Sequence, residues 1–127
     1  MINTMSRDEL ARLIQSGEKF RLVDVLAKES FAQEHIKGSI SLPLAEIGKR
    51  AGKLFKKDEK IVVYCASFQC TASTQAAQEL INLGFTNVLD YKGGLQDFKE
   101  GYAHLMEGGD FKKTAKQEQL CRSCTCG

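Results

Sequence analysis

Ile61-Val62-Val63-Tyr64-Cys65-Ala66-Ser67-Phe68-Gln69-Cys70-Thr71 is the stretch on which the reading of this chain turns. Its opening apolar, β-branched run reads as a buried strand. A cysteine ends the strand, five small or neutral residues follow, and a pattern of helical period opens at Thr71-Ala72-Ser73-Thr74. In α/β folds, ligands sit at the carboxyl ends of the strands. A helix amino terminus at that place offers free backbone N–H groups and the positive end of a dipole, together an anion cradle. The setting predicts a Cys65 thiol lowered from its ordinary value of about 8.5, with the nucleophilic thiolate populated.

Working outward, three further segments read as strands. Phe20 to Leu26 alternates and then turns continuously apolar, Gly38 to Pro43 is brief and closed by the only proline, and Asn87 to Tyr91 precedes a Gly93-Gly94 turn. Helical signals lie between them. Ser6-Arg7-Asp8-Glu9 is a capping box ahead of Leu10, Leu13 and Ile14, predicting a helix to about Gly17. Lys28 to His35 forms a short helix with Phe31 inward. Leu44, Ile47 and Leu54 recur through a basic stretch to Lys60, read as a solvated, partly helical connection. Ala72, Ala76, Ala77, Leu80, Ile81 and Leu83 form the stripe of a longer helix, with Gly84 at the left-handed cap and Phe85 folding back on the last turn. Leu95 to Glu100 is a short helix stopped by Gly101. Strands alternating with helices predict an α/β fold, its parallel sheet covered on both faces.

Composition narrows the function classes. At 127 residues, 43% hydrophobic and 27% charged, the chain is an ordinary soluble domain by these measures. A net charge of +2 argues against nucleic acid or an anionic membrane as partner. No apolar run is long enough to span a bilayer, and no secretory signal is visible at the amino terminus, which makes the cytoplasm the default location. Five cysteines, odd in number and three of them crowded at the end, do not make a disulfide scaffold. Beyond Gly109 the chain turns polar. The expected division is a domain over 1–109 and a flexible, cysteine-containing tail over 110–127.

Several motifs then fall into register. Leu22-Val23-Asp24-Val25, Phe31 and His35-Ile36-Lys37-Gly38-Ser39-Ile40-Ser41-Leu42-Pro43 resemble the first half of a single-domain rhodanese. Val63-Tyr64-Cys65, Ala76-Ala77, Leu80, Gly84-Phe85, Asn87-Val88 and Gly93-Gly94 resemble the second half, so the likeness runs over roughly residues 4–108. The resemblance implies a five-stranded parallel sheet flanked by helices on both faces. It also implies sulfurtransferase chemistry, with Cys65 carrying sulfane sulfur as a persulfide and the backbone N–H groups of Ala66, Ser67, Phe68, Gln69, Cys70 and Thr71 forming the binding loop. Partners would be a small sulfane-sulfur donor and a thiol acceptor, or a donor or acceptor protein, with no cofactor.

The chain departs from the family pattern at informative places. Phe68 stands where many active rhodaneses have glycine, and Cys70 where they often have arginine. An arginine fork suits a sulfonate, so its loss argues against thiosulfate and for a persulfide or polysulfide donor. Phe98 replaces a usual tryptophan, and Leu26 an arginine. Cys70 is either a resolving thiol that attacks a Cys65 persulfide or a space-filling residue near the helix start. A phosphatase or arsenate reductase reading needs an arginine where Thr71 stands. Cys121, Cys124 and Cys126 have the spacing for a sulfur relay or a soft metal ion but lack a fourth ligand, and the plainer reading is an exposed flexible end. His35 reads as structural, Asp24 as a loop anchor, and Lys49 to Lys60 as a solvated surface. The competing function is a non-catalytic sulfur-sensing or docking module.

Overall fold

The computed structural model describes residues 3–107. In chain order its regular elements are β1 (Asn3–Thr4), α1 (Arg7–Ser16), β2 (Arg21–Asp24), α2 (Lys28–Gln33), β3 (His35–Ile36), β4 (Ile40–Ser41), α3 (Ile47–Leu54), β5 (Ile61–Tyr64), α4 (Ala72–Asn82), β6 (Val88–Tyr91), α5 (Gly94–Tyr102) and β7 (Met106–Glu107). Five strands form one parallel sheet in the order β1-β6-β5-β2-β4, and β3 pairs antiparallel with β7 beside it. This is the expected α/β architecture, with β5 in the middle.

The alternation of side chains along β5 distributes the core. Ile61, Val63 and Cys65 face one layer, where Ile47 and Ala51 of α3 and Ala76, Ala77 and Leu80 of α4 pack. Val62 and Tyr64 face the other, against Leu10 and Leu13 of α1 and Phe98 of α5. All four residues of β5 are buried, as a central parallel strand requires. Its continuously apolar composition is the sequence imprint of that position.

Local signals act where they were expected. The Glu9 amide donates to Ser6 Oγ at 3.2 Å and the Ser6 amide to Glu9 Oε1 at 2.8 Å, starting α1. Gly84 takes φ +102° after α4, and the Phe85 amide donates back to the Leu80 carbonyl at 3.1 Å with its ring buried.

Four expectations change, and the first is that α5 runs through Gly101 to Tyr102 instead of stopping at that glycine. β1 was not foreseen, because Asn3 and Thr4 carry no apolar pattern and enter the sheet only by pairing with Leu89 and Asp90. α2 stops at Gln33 rather than reaching His35, which pairs instead across to Glu107. The basic connection contains a full helix, α3, since Ile47 and Ala51 lie one turn apart and are both buried while its lysines face water. The proposed tail, 110–127, lies outside the described residues.

Candidate active site

Cys65 directly follows β5, and strand alternation turns its side chain toward the α3/α4 layer. It is fully buried, and its Sγ donates to the Cys70 carbonyl at 3.4 Å. Burial pushes the thiol up, and the neighbouring Cys70 adds to that; the hydroxyl and amide of Ser73 pull the other way without prevailing. The sequence predicted a lowered, accessible Cys65. The structure corrects both points: the thiol is buried in the α3/α4 layer, the Ala66 amide serves Cys70, and the Cys70 amide donates to the Ser67 carbonyl.

The amides of Ala66 and Ala72 serve Cys70, which is half-buried. Partial burial alone would raise the Cys70 thiol. Hydrogen bonding from Cys65, the two amides and the positive charge of Lys92 outweigh that and hold it below the ordinary thiol value. The acidic thiol at the start of α4 is therefore Cys70. Cys70 also packs against the core cluster that holds Cys65, as the plainer, space-filling reading expects.

The loop between the two cysteines is held from both sides. The Cys70 amide donates to the Ser67 carbonyl at 3.1 Å, closing a turn. The first amides of α5 take up the opposite edge, Leu95 donating to the Cys65 carbonyl and Gln96 to the Ala66 carbonyl, each at 2.9 Å. That approach needs Gly94 at φ +69°. A Cβ there would lie 2.5 Å from the Cys65 carbonyl oxygen and 2.7 Å from the Ser67 nitrogen. Phe68 stands 61% exposed at the crest, between clefts of about 560 Å³ and 200 Å³. Gln69 lines the smaller, Arg7 and Lys92 the larger, and neither thiol lines either one. Thr71 is exposed and immediately precedes α4.

Three residues important to this geometry were not singled out as site residues. Ser73 is fully buried and its Oγ has no hydrogen-bond partner. Lys92 donates to Thr74 Oγ1 at 2.9 Å, and Thr74 in turn to Asp90 Oδ2 at 2.7 Å. It comes one residue after Tyr91, which pairs with Tyr64, so parallel register sets Lys92 level with Cys65. Gly94 was read as part of a turn, without its contact to the loop. The register of β5 with β6 is the signal that would have found Lys92, and it requires the strand order.

Other assignments hold. The His35 ring stacks on Phe31 with centroids 3.8 Å apart, and Nδ1 lies 2.7 Å from the Phe31 carbonyl, a structural role. Asp24 accepts from the Leu26 amide at 2.9 Å, anchoring the turn after β2. Phe98 is fully buried and meets Tyr91 edge-on. Cys121, Cys124 and Cys126 lie outside the described residues. Among the described residues, no three of His, Cys, Asp or Glu gather as metal ligands, and no helix is long and apolar enough to cross a membrane.

A thiol pair at the carboxyl end of the middle strand, in a loop pinned between two helix starts, defines a class: parallel α/β proteins with cysteine-centred chemistry. The sequence matches the rhodanese-like domain over residues 6–101, and the chain belongs to that family. Thiosulfate sulfurtransferase PspE of Escherichia coli is 37% identical over 76 residues, 59% of this chain and 70% of PspE. YrkF of Bacillus subtilis, whose name describes a sulfur carrier, is 31% identical over 97 residues, 76% of this chain. The match spans about half, 51%, of YrkF's length. The solution structure of the rhodanese-like domain of Alr3790 from Anabaena superposes with a TM-score of 0.78 at 26% identity, covering 95% of this chain and 91% of that one.

Proposed function

We propose that this chain moves sulfane sulfur from a persulfide or polysulfide donor to a thiol or other nucleophile, through a persulfide on Cys65. The observation that supports this most is the placement of Cys65 at the carboxyl end of β5, with the buried Ser73 hydroxyl unpartnered beside it. A hydroxyl without a partner beside a buried thiol is a donor available to a sulfur anion. Membership of a family with thiosulfate sulfurtransferases and a sulfur carrier among its relatives points the same way. The loop holds no cation, and Lys92 offers a single ammonium in place of a paired fork, so donors with one anionic sulfur are favoured over thiosulfate.

Burial of Cys65 favours one competing reading, a rhodanese-like module that docks or senses without turnover. Intact mass separates the two. Reduced protein is incubated with polysulfide, glutathione persulfide or thiosulfate, and the added sulfur is located by fragmentation. Sulfur on Cys65 from the first two donors, lost again on adding cyanide or a thiol, is the expected result. No sulfur on Cys65 from any donor overturns the reading in favour of the docking module.

A further inference from the structure

If Cys65 carries the sulfur, a donor in solution still has to reach a fully buried atom. The structure offers one neighbour for that task. Cys70 is half-buried, it packs against the core cluster that contains Cys65, and its carbonyl already receives the Cys65 thiol at 3.4 Å. The Ser67–Cys70 turn holds Cys70 at the far end of the loop, where it keeps some exposure while Cys65 has none.

We propose that Cys70 is the entry and exit thiol of the site: it takes the sulfane sulfur from the donor and hands it inward to Cys65, where the persulfide is stored. This rests on the reading that Cys65 is the carrier. In the first step the Cys70 thiolate attacks the outer sulfur of a persulfide R–S–SH. A bond forms between Cys70 Sγ and that sulfur, the donor's S–S bond breaks, and R–S⁻ leaves. In the second step Cys65 attacks the same outer sulfur as its proton passes to the departing Cys70 sulfur. The S–S bond on Cys70 breaks as one forms on Cys65, and Cys70 returns as a thiol that gives its proton to water. Nothing is oxidised or reduced overall, since the sulfane sulfur moves between two equivalent linkages.

Each partner suits its station. Cys70 receives the Ala66 and Ala72 amides and lies within the field of Lys92, which favours the thiolate and draws an anionic donor. Cys65 has the Ser73 amide and free hydroxyl, which favour the sulfur anion once it arrives. An acceptor retrieves the sulfur by the same two steps in reverse.

The test uses the full chain, glutathione persulfide as the probe, rapid quenching with iodoacetamide, and fragment mapping to distinguish the five cysteines. In wild type, sulfur should appear first on Cys70 and then on Cys65. Cys65→Ser and Cys65→Ala should hold it on Cys70. Cys70→Ser and Cys70→Ala should slow loading of Cys65 by about tenfold or more, the loss expected when a half-buried, acidic thiolate and its intramolecular hand-over are removed. Loading of Cys65 at the wild-type rate in both Cys70 variants overturns the entry role while leaving Cys65 as carrier. Sulfide release with a Cys65–Cys70 disulfide also overturns it, because Cys65 would then have attacked the inner sulfur. Failure of wild type to place sulfur on Cys65 under any condition overturns the carrier reading itself.

Discussion

Replacing Gly94 by alanine measures how firmly the loop is held. The added Cβ meets the Cys65 carbonyl oxygen at 2.5 Å, the Ala66 carbonyl carbon at 2.7 Å and the Ser67 nitrogen at 2.7 Å. All are backbone atoms, so no side chain can swing aside, and α5 must withdraw from the loop. Withdrawal strains or breaks two hydrogen bonds, Leu95 to Cys65 and Gln96 to Ala66, worth roughly 1 kcal/mol each. Alanine at φ +69° adds about 1–2 kcal/mol of backbone strain. With overlap that relaxation does not fully remove, the expected loss is about 3–5 kcal/mol, a large share of a stability of about 5–15 kcal/mol. Gly38→Ala is the control, since Gly38 has φ +87° but nothing within 4 Å of the added atom. It carries the strain without the contact, and should cost about 1 kcal/mol net of the entropy alanine removes from the unfolded chain. Urea unfolding of both variants gives the answer. With a slope of about 1–3 kcal/mol/M, Gly94→Ala should lower the midpoint by on the order of 2 M. Equal midpoints for the two variants would refute the argument, because contact with the loop would then carry no energy.

Three further outcomes are expected. Ser73→Ala removes a buried hydroxyl that has no partner in the resting thiol state, so stability should stay within about 1 kcal/mol of wild type or rise, while the lifetime of the Cys65 persulfide falls; a large drop in urea midpoint would mean the hydroxyl is structural. Lys92→Gln removes a charge that lowers the Cys70 thiol, so the pH midpoint for alkylation of Cys70 should move upward and its loading by persulfide slow; an unmoved midpoint would remove Lys92 from the site. Burial raises the Asp24 carboxyl, with the Leu26 amide, Tyr64 and His35 opposing it. A raised folded-state value supplies stability below the ordinary carboxylate range that is lost as pH rises through it, so Asp24→Asn, which keeps an acceptor for Leu26, should gain on wild type in urea midpoint from acid to neutral pH, and the reverse trend would refute the assignment.

The layered architecture was legible because it is written in period and punctuation. Ile61 to Tyr64 is buried on both sides and therefore continuously apolar, while Ala76, Ala77 and Leu80 mark one face of α4. β1 was illegible because its two polar residues contribute backbone alone. His35 was drawn into the preceding helix by local pattern, whereas its partner Glu107 lies far along the chain. The placement of Cys65 at the end of the middle strand and of Cys70 beside the start of α4 was likewise readable, but their electrostatics were not. A helix start beside a cysteine says that amides will serve some thiol; which thiol depends on the path of five intervening residues and on α5 pressing against them. Lys92 belongs to the same class of information, delivered by the register between neighbouring strands.

A sulfur carrier faces two demands that one cysteine meets poorly. The stored persulfide must be sheltered from bulk thiols, and the nucleophile that acquires it must be ionised and within reach. Shelter means desolvation, which raises a thiol's pKa and lowers its reactivity, as at Cys65. An arginine in the loop can ease that conflict by supplying charge beside a single thiol. Here the corresponding position is a second thiol, and the charge comes from Lys92, held through Thr74 and Asp90. On the proposed reading, a cysteine at position 70 in place of arginine divides the labour. Acidity and access belong to Cys70, shelter and the free Ser73 hydroxyl to Cys65. A lone ammonium steers an anion but does not grip a sulfonate with paired donors, so on the same reading the residue that adds a nucleophile also accounts for a preference for persulfides and polysulfides over thiosulfate. Introducing Cys70→Arg should reverse both effects together, raising thiosulfate use while abolishing the transient persulfide at position 70. Recovery of thiosulfate turnover without any change in the route of persulfide loading would separate the two and break the link argued here.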